Sequence, residues 1–186
     1  MIRLGSNSKT RALLLANANI EFIQNGGVFD EDSIKTTNPK SFCYEATKGK
    51  FNELYRKYGV KDMPLLVADS VVTTKGLLLR KAKDEDDARR MLQLQSGAET
   101  SVITCMIYKS KDKEIIDMSI TTYIFNEFDQ NDINEYIKSG DCFGKAGAIM
   151  VEGFCKPYIK EVKGYESTAM GLCIEKLKSF IWIYLK

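Results

Sequence analysis

Histidine is absent from the 186 residues of this chain. Its absence removes Ser-His-Asp and Cys-His catalysis, histidine-ligated zinc, and the one general base whose unperturbed pKa lies near neutrality. Proton chemistry is left to carboxylates, Lys, Tyr, Cys or metal-bound water. The cysteines Cys43, Cys105, Cys142, Cys155 and Cys173 are odd in number and contain no C-x-x-C pair. Neither a disulfide framework nor a zinc knuckle follows from them, and reduced thiols in the cytoplasm are expected. Excess charge of one sign is also missing: 27 basic against 25 acidic residues leave a net +2, too little to imply a broad face for duplex nucleic acid. No apolar run approaches the ~18 residues of a membrane span, and MIRLGSNSKTRALLL lacks a signal-peptide core. The closing SFIWIYL is too short to cross a bilayer, so no membrane partner is expected.

What is present is an ordinary globular composition, 44% hydrophobic and 28% charged, in a length that suits one domain, 1–186, or two lobes around a shared cleft. Met1 to Leu4 reads as a strand, Gly5 to Ser8 as a turn, and Lys9 to about Asn17 as a helix. IEFIQNG reads as a second strand, followed by the acidic turn Asp30-Glu31-Asp32. Pro39 to Tyr58 carries Phe42, Ala46, Phe51, Leu54 and Tyr58 at mostly helical spacing. PLLVADSVV contains a near-continuous apolar run of strand length, the pattern of a strand covered on both faces, and KGLLLRKA a short returning strand. Asp84 to Asp87 open a helix where the macrodipole favours negative charge. Residues 101–109 and 114–126 read as an antiparallel hairpin, Asp129 to Lys138 as a helix with Ile133, Tyr136 and Ile137 inward, and the tail from Gly171 as a last amphipathic helix. Alternating strands and helices with one hairpin predict a mixed α/β sheet flanked by helices.

Several features carry chemistry. In LGSNSKTR, residues 4–11, a Gly-Ser turn entering a helix offers backbone N–H groups and hydroxyls to an anion, with Arg11 in the first turns; alternatively Ser8 is simply an N-cap. Asp69 sits among Leu, Val and Ala, where a carboxylate at a strand end reaches a cleft, holds Mg²⁺ or orients water, or else caps a neighbouring turn. Lys48, Lys81 and Lys145 lie beside small residues that let a ligand approach, although surface solvation is the usual fate of lysine. Asp30 and Glu31 are a solvated turn or a second metal ligand.

The order of these pieces resembles the Maf family of nucleoside triphosphate pyrophosphatases. LGSNSKTRALLL is similar to that family's Ala-Ser-x-Ser-Pro-Arg-Arg loop, FDEDS to its Asp-Glu turn, YEATKGK to its Ala-Lys-Ala segment and VADSVV to its Ala-Asp-Thr-Val-Val motif. RKAKDEDDARRMLQLQSG, INEYIKSGDCFGKAGAIMVEGF and GYESTAMGLC resemble its later segments, so the likeness runs from about residue 2 to 178. The resemblance implies an inosine-triphosphatase-like fold, two lobes around a central cleft, and hydrolysis of a nucleoside triphosphate to the monophosphate and pyrophosphate with Mg²⁺ or Mn²⁺. It implies Asp69 as catalytic proton acceptor, Glu31 with Asp69 as metal ligands, and Ser6, Ser8, Arg11, Lys48, Lys81 and Lys145 on the triphosphate. A homodimer is implied by family habit alone. A slow or non-catalytic nucleotide-binding regulator of septum formation is the alternative reading.

Three departures bear on the base. Where the family's thymidine- and uridine-triphosphate branch has Arg, Thr and Gln, this chain has Thr10, Ser70 and Glu152. An ionised glutamate only accepts hydrogen bonds, which suits the N–H donors of guanine and the positive charge of 7-methylguanine; a purine or 7-methyl-GTP preference is expected. Lys9, Ala82 and Cys173 stand where the family has proline, a change in loop stiffness.

Overall fold

The computed structural model describes residues 1–182. Its strands are β1 (Ile2–Leu4), β2 (Phe22–Gln24), β3 (Leu65–Thr74), β4 (Leu77–Leu79), β5 (Glu99–Lys109), β6 (Glu114–Phe125) and β7 (Ile159–Lys163), joined in one mixed sheet of order β2-β1-β3-β5-β6-β7 with β4 also on β3. β2, β1 and β3 are parallel neighbours, whereas β3, β5, β6 and β7 alternate in direction. The helices are α1 (Lys9–Asn17), α2 (Pro39–Tyr58), α3 (Glu85–Gln95), α4 (Gln130–Ser139), α5 (Glu166–Ala169) and α6 (Ile174–Trp182). The expected last helix is α6; the part of that expectation falling on 183–186 lies outside the described residues.

The strand β3 organises the sheet. Buried on both faces, as its apolar run requires, it pairs with β5 along its whole length from Leu65 to Thr74. Its other edge is covered only at the ends: β1 meets Leu65 and Leu66, and β4 meets Val72 to Thr74. After Leu4 the chain turns away, the Gly5 N–H making a last bond to the Leu66 carbonyl at 2.8 Å. Between these partners, Val67 to Val71 have no strand on that side among the described residues. Asp69 stands at the middle of the opening.

Side chains alternate across a strand, and here the alternation separates two chemistries. Val67 and Val71 face α2, packing with Phe51 and Leu54 and with Phe42, Cys43 and Ala46 respectively. Leu66 and Ala68 face the opposite side, in a cluster with Leu15, Leu172 and Leu177 from α1 and the C-terminal segment. Farther along that same side Val72 joins Ala88, Leu92 and Ile133 of α3 and α4. These last two clusters are the cores of two lobes, and Ser70 lies on β3 between them.

Two elements have no counterpart in the sequence reading. β7 is an edge strand of sequence IKEVK, largely exposed, so it lacks the apolar alternation that marks a half-buried strand. α5, ESTA, is too short to show a helical period. Among the described residues no helix is long and apolar enough to cross a membrane.

Because β3 is shared by every cluster, truncating it is costly. Leu66→Ala, at a fully buried position, is expected to lower unfolding stability by about 2–5 kcal/mol, read as a reduced urea midpoint; a loss below about 1 kcal/mol would contradict this placement of the core.

Candidate active site

A cleft of about 560 Å³ opens over the gap beside β3. Its walls come from the turn before α1, the acidic turn at Glu31, α2, the end of β4, the loop 144–152 and the segment after α5. Of the residues expected at the site, Ser6, Ser8, Thr10, Arg11, Glu31, Asp69, Ser70, Lys81, Lys145 and Glu152 line it. Lys48 does not: it is exposed on α2, its ammonium 5.6 Å from the Tyr44 ring. The lysine of that segment that reaches the cleft is Lys50.

Helix geometry explains the difference. Phe42, Ala46 and Lys50 are spaced by four residues and share the face of α2 that lies on β3 and β5, whereas Lys48 is turned well away. The Nζ of Lys50 donates to Oδ1 of Asp69 at 2.5 Å and to Oε1 of Glu31 at 2.6 Å. One half-buried ammonium therefore joins the strand carboxylate to the carboxylate of the acidic turn. Burial disfavours the charged form of Lys50, but the charges and hydrogen bonds of Asp69 and Glu31 outweigh it, and its pKa is raised. Burial likewise pushes the Glu31 carboxyl up, yet Lys50, Lys81 and Arg80 together hold it below the usual value. Burial and the nearby Asp69 charge raise the thiol pKa of Cys43, which donates to the Asp69 carbonyl; the thiol stays protonated.

The acidic turn is itself pinned to α2. Phe29 packs where a side chain at Gly49 would be, an added Cβ lying 2.2 Å from the ring, and Glu53 accepts from the Val28 N–H at 3.1 Å. A glycine inside a helix costs stability relative to alanine, and here it admits the ring that brings Glu31 beside Lys50. Arg80 adds a second tie, donating to Asp32 at 2.8 Å and lying 5.1 Å from the Phe42 ring centroid.

Across the gap Arg11 is held from three directions. Its Nε donates to the Gly171 carbonyl at 2.7 Å, Nη1 to Ser6 Oγ at 3.1 Å and Nη2 to Ser70 Oγ at 3.2 Å. Ser70 in turn bonds Thr104, whose hydroxyl donates to the Thr168 carbonyl at 2.7 Å. Burial lowers the Arg11 pKa against the pull of Asp69, and the guanidinium stays cationic. Ser8 is the N-cap of α1, accepting from the Arg11 N–H at 3.3 Å, and Ser6 accepts from the Ser8 N–H at 3.2 Å. The turn is thus organised around the start of a helix, where unpaired N–H groups favour an anion. The bridge between Lys81 and Ala146 sets the loop that carries Lys145 beside the strand end that carries Lys81.

Glu31 and Asp69 place two carboxylate oxygens against one cation, the contribution that Mg²⁺ takes from protein when phosphates and water complete its shell. Among the described residues no group of three or more His, Cys, Asp or Glu could hold a metal alone. Glu31 and Asp69 would supply only part of a divalent cation's shell, the rest coming from phosphate and water.

A family model described as Maf-like protein matches residues 1–182. The chain belongs to the Maf family. A nucleoside triphosphate pyrophosphatase of a Nitratiruptor species is 53% identical over 179 residues, covering 95% of this chain and 96% of its own. A nucleoside triphosphate pyrophosphatase of Helicobacter pylori is 40% identical, with 94% and 91% covered. One of Campylobacter jejuni subsp. doylei is 36% identical, with 97% and 100% covered. The solved Staphylococcus aureus Ham1 protein superposes with a TM-score of 0.52 at 10% identity over 97% of each chain, a likeness of fold.

Lys50, Arg80 and Asn7 line the cleft without having been singled out in the sequence. For Lys50 the signal was available: a lysine in register with Phe42 and Ala46 falls on the buried stripe. Arg80 and Asn7 carry no comparable periodic mark.

The charge cluster makes a pH prediction. The Glu31 pKa is depressed by folding, so its contribution to stability is present above the ordinary glutamate value and lost as pH falls through the depressed one. Lys50 is raised, so its contribution is complete below 10.5 and lost as pH rises through the higher folded value. Denaturation midpoints measured across pH should fall on the acid side in the wild type and flatten there in Glu31→Gln; an unchanged acid limb in that variant would remove Glu31 as the source.

Proposed function

We propose that this protein is a nucleoside triphosphate pyrophosphatase that directs water onto the α-phosphorus and releases a nucleoside monophosphate and pyrophosphate. The observation that carries the reading is Asp69 held by Lys50 beside Glu31, facing Arg11, Lys81 and Lys145 across one cleft.

In this reading Ser6, the N-terminal turn of α1, Arg11, Lys81 and Lys145 hold the triphosphate, and Lys50 takes the place that the sequence reading assigned to Lys48. Lys50 engages Oδ1 of Asp69, leaving Oδ2 to accept the proton of the attacking water. The α–β bridging oxygen leaves with pyrophosphate, and the lysines and Arg11 offset the charge that grows there. Positioning and electrostatics are the main levers of such transfers, so the missing histidine is no obstacle. A Mg²⁺ or Mn²⁺ ion held by Glu31 and Asp69 would add neutralisation of the phosphate oxygens.

The base is assigned to the cleft residues Thr10 and Glu152. Glu152 is exposed there and accepts only, which supports guanine or 7-methylguanine over thymine and uracil. Ser70 acts indirectly, since its hydroxyl is engaged with Arg11 and Thr104.

Asp69→Asn is expected to lower pyrophosphate release by about 10²–10⁴-fold while nucleotide binding persists, measured by a product-resolved assay and by calorimetry. Unchanged turnover would end the proposed role of Asp69, and binding without turnover in the wild type would favour the regulatory alternative. In steady-state kinetics GTP or 7-methyl-GTP should exceed TTP and UTP in kcat/KM; the reverse order would overturn the base assignment.

A further inference from the structure

Outside the cleft, one buried polar side chain is aimed at a loop that carries two of the site's residues. Gln95, at the last position of α3, is completely buried and does not line the cleft. Its Nε2 donates to the Met91 carbonyl at 2.9 Å and to the Gly147 carbonyl at 2.7 Å. Both partners are acceptors, so the amide group must face them and the orientation follows from chemistry. Its Oε1 is buried with no hydrogen-bond partner among the described residues, a cost that an apolar side chain would avoid.

The residue it holds is constrained on every side. The Gly147 N–H donates to the Arg80 carbonyl at 2.9 Å, its φ is +64°, and a Cβ there would lie 2.8 Å from Val72. Ala146 bridges Lys81 in antiparallel register, and Lys145 precedes it. Gly147 is therefore the point at which the loop is fixed to β3 and to the strand end bearing Arg80 and Lys81. Gln95 is the only side chain hydrogen-bonded to its carbonyl among the described residues.

We infer that Gln95 is a positioning residue for the pyrophosphate end of the substrate, acting through Gly147 to hold the loop that carries Lys145 in its Ala146–Lys81 register. The inference rests on the pyrophosphatase reading. A leucine or methionine at 95 fills similar volume without the donor, so the loop keeps its Val72 contact but loses the tie that sets its height above the sheet.

The test compares pyrophosphate and nucleoside monophosphate binding, by calorimetry, in the wild type, Gln95→Leu, Gln95→Met and Lys145→Ala, each at a temperature where circular dichroism shows it folded. The expected result is about tenfold weaker pyrophosphate binding in both Gln95 variants, little change for the monophosphate, and a rise in KM for the triphosphate larger than the fall in kcat. Unchanged pyrophosphate binding at 95 while Lys145→Ala weakens it would overturn the role of Gln95 and leave the site intact. Equal losses for both ligands, tracking a lower melting temperature, would reduce Gln95 to a stability residue and overturn the inference. Unchanged binding in Lys145→Ala would overturn the phosphate assignment itself.

Discussion

One ammonium, that of Lys50, sits between Asp69 and Glu31, and the cleft is arranged around that contact. Two carboxylates held against one group repel each other, and Asp69 in particular is poorly solvated. The shared ammonium offsets that repulsion, and the directions of the Lys50 and Glu31 shifts record the support. Replacing such a cluster with apolar side chains is often neutral or stabilising, so its presence is better explained by chemistry than by stability.

The backbone makes room for that cluster by leaving part of β3 unpaired. It pairs with β5 along its whole length, while β1 and β4 cover only its ends. Period-two alternation then sends Asp69 to the α2 face, where Lys50 waits, and Ser70 to the other face, where Arg11 and Thr104 receive it. Adjacent residues of one strand thus serve opposite walls of the same cleft. The polar chain Arg11–Ser70–Thr104–Thr168 meets β3 at Ser70, between the two apolar clusters on that face, so the boundary between lobes falls at the cleft.

Much of this was legible from local pattern. α2 begins at Pro39 behind an Asn38 cap and ends at Tyr58, as its apolar spacing and flanking residues indicate, and the β5–β6 hairpin follows from its β-branched runs. Local pattern failed where the determinant is not local. β7 is a strand because β6 offers it an edge, not because IKEVK alternates. Lys48 and Lys50 share a neighbourhood of small residues, and only the phase of the helix against β3 separates a solvated lysine from one that reaches the cleft. That phase is implicit in Phe42 and Ala46, but becomes decisive once the strand carrying Asp69 is known to lie beneath them.

By itself the sequence determined the alternation of strands and helices, the exclusion of histidine chemistry, and the set of charged segments available for a phosphate ligand, because these depend on residue type and short spacing. The tertiary structure decided which charges meet: Lys50 with Asp69 and Glu31, Arg11 with Ser70 and Gly171, Gln95 with Gly147. Those contacts join residues from 19 to 160 positions apart, a separation over which no periodicity carries information. Only the packing of strand, helix and loop around one unpaired edge brings them within hydrogen-bonding distance.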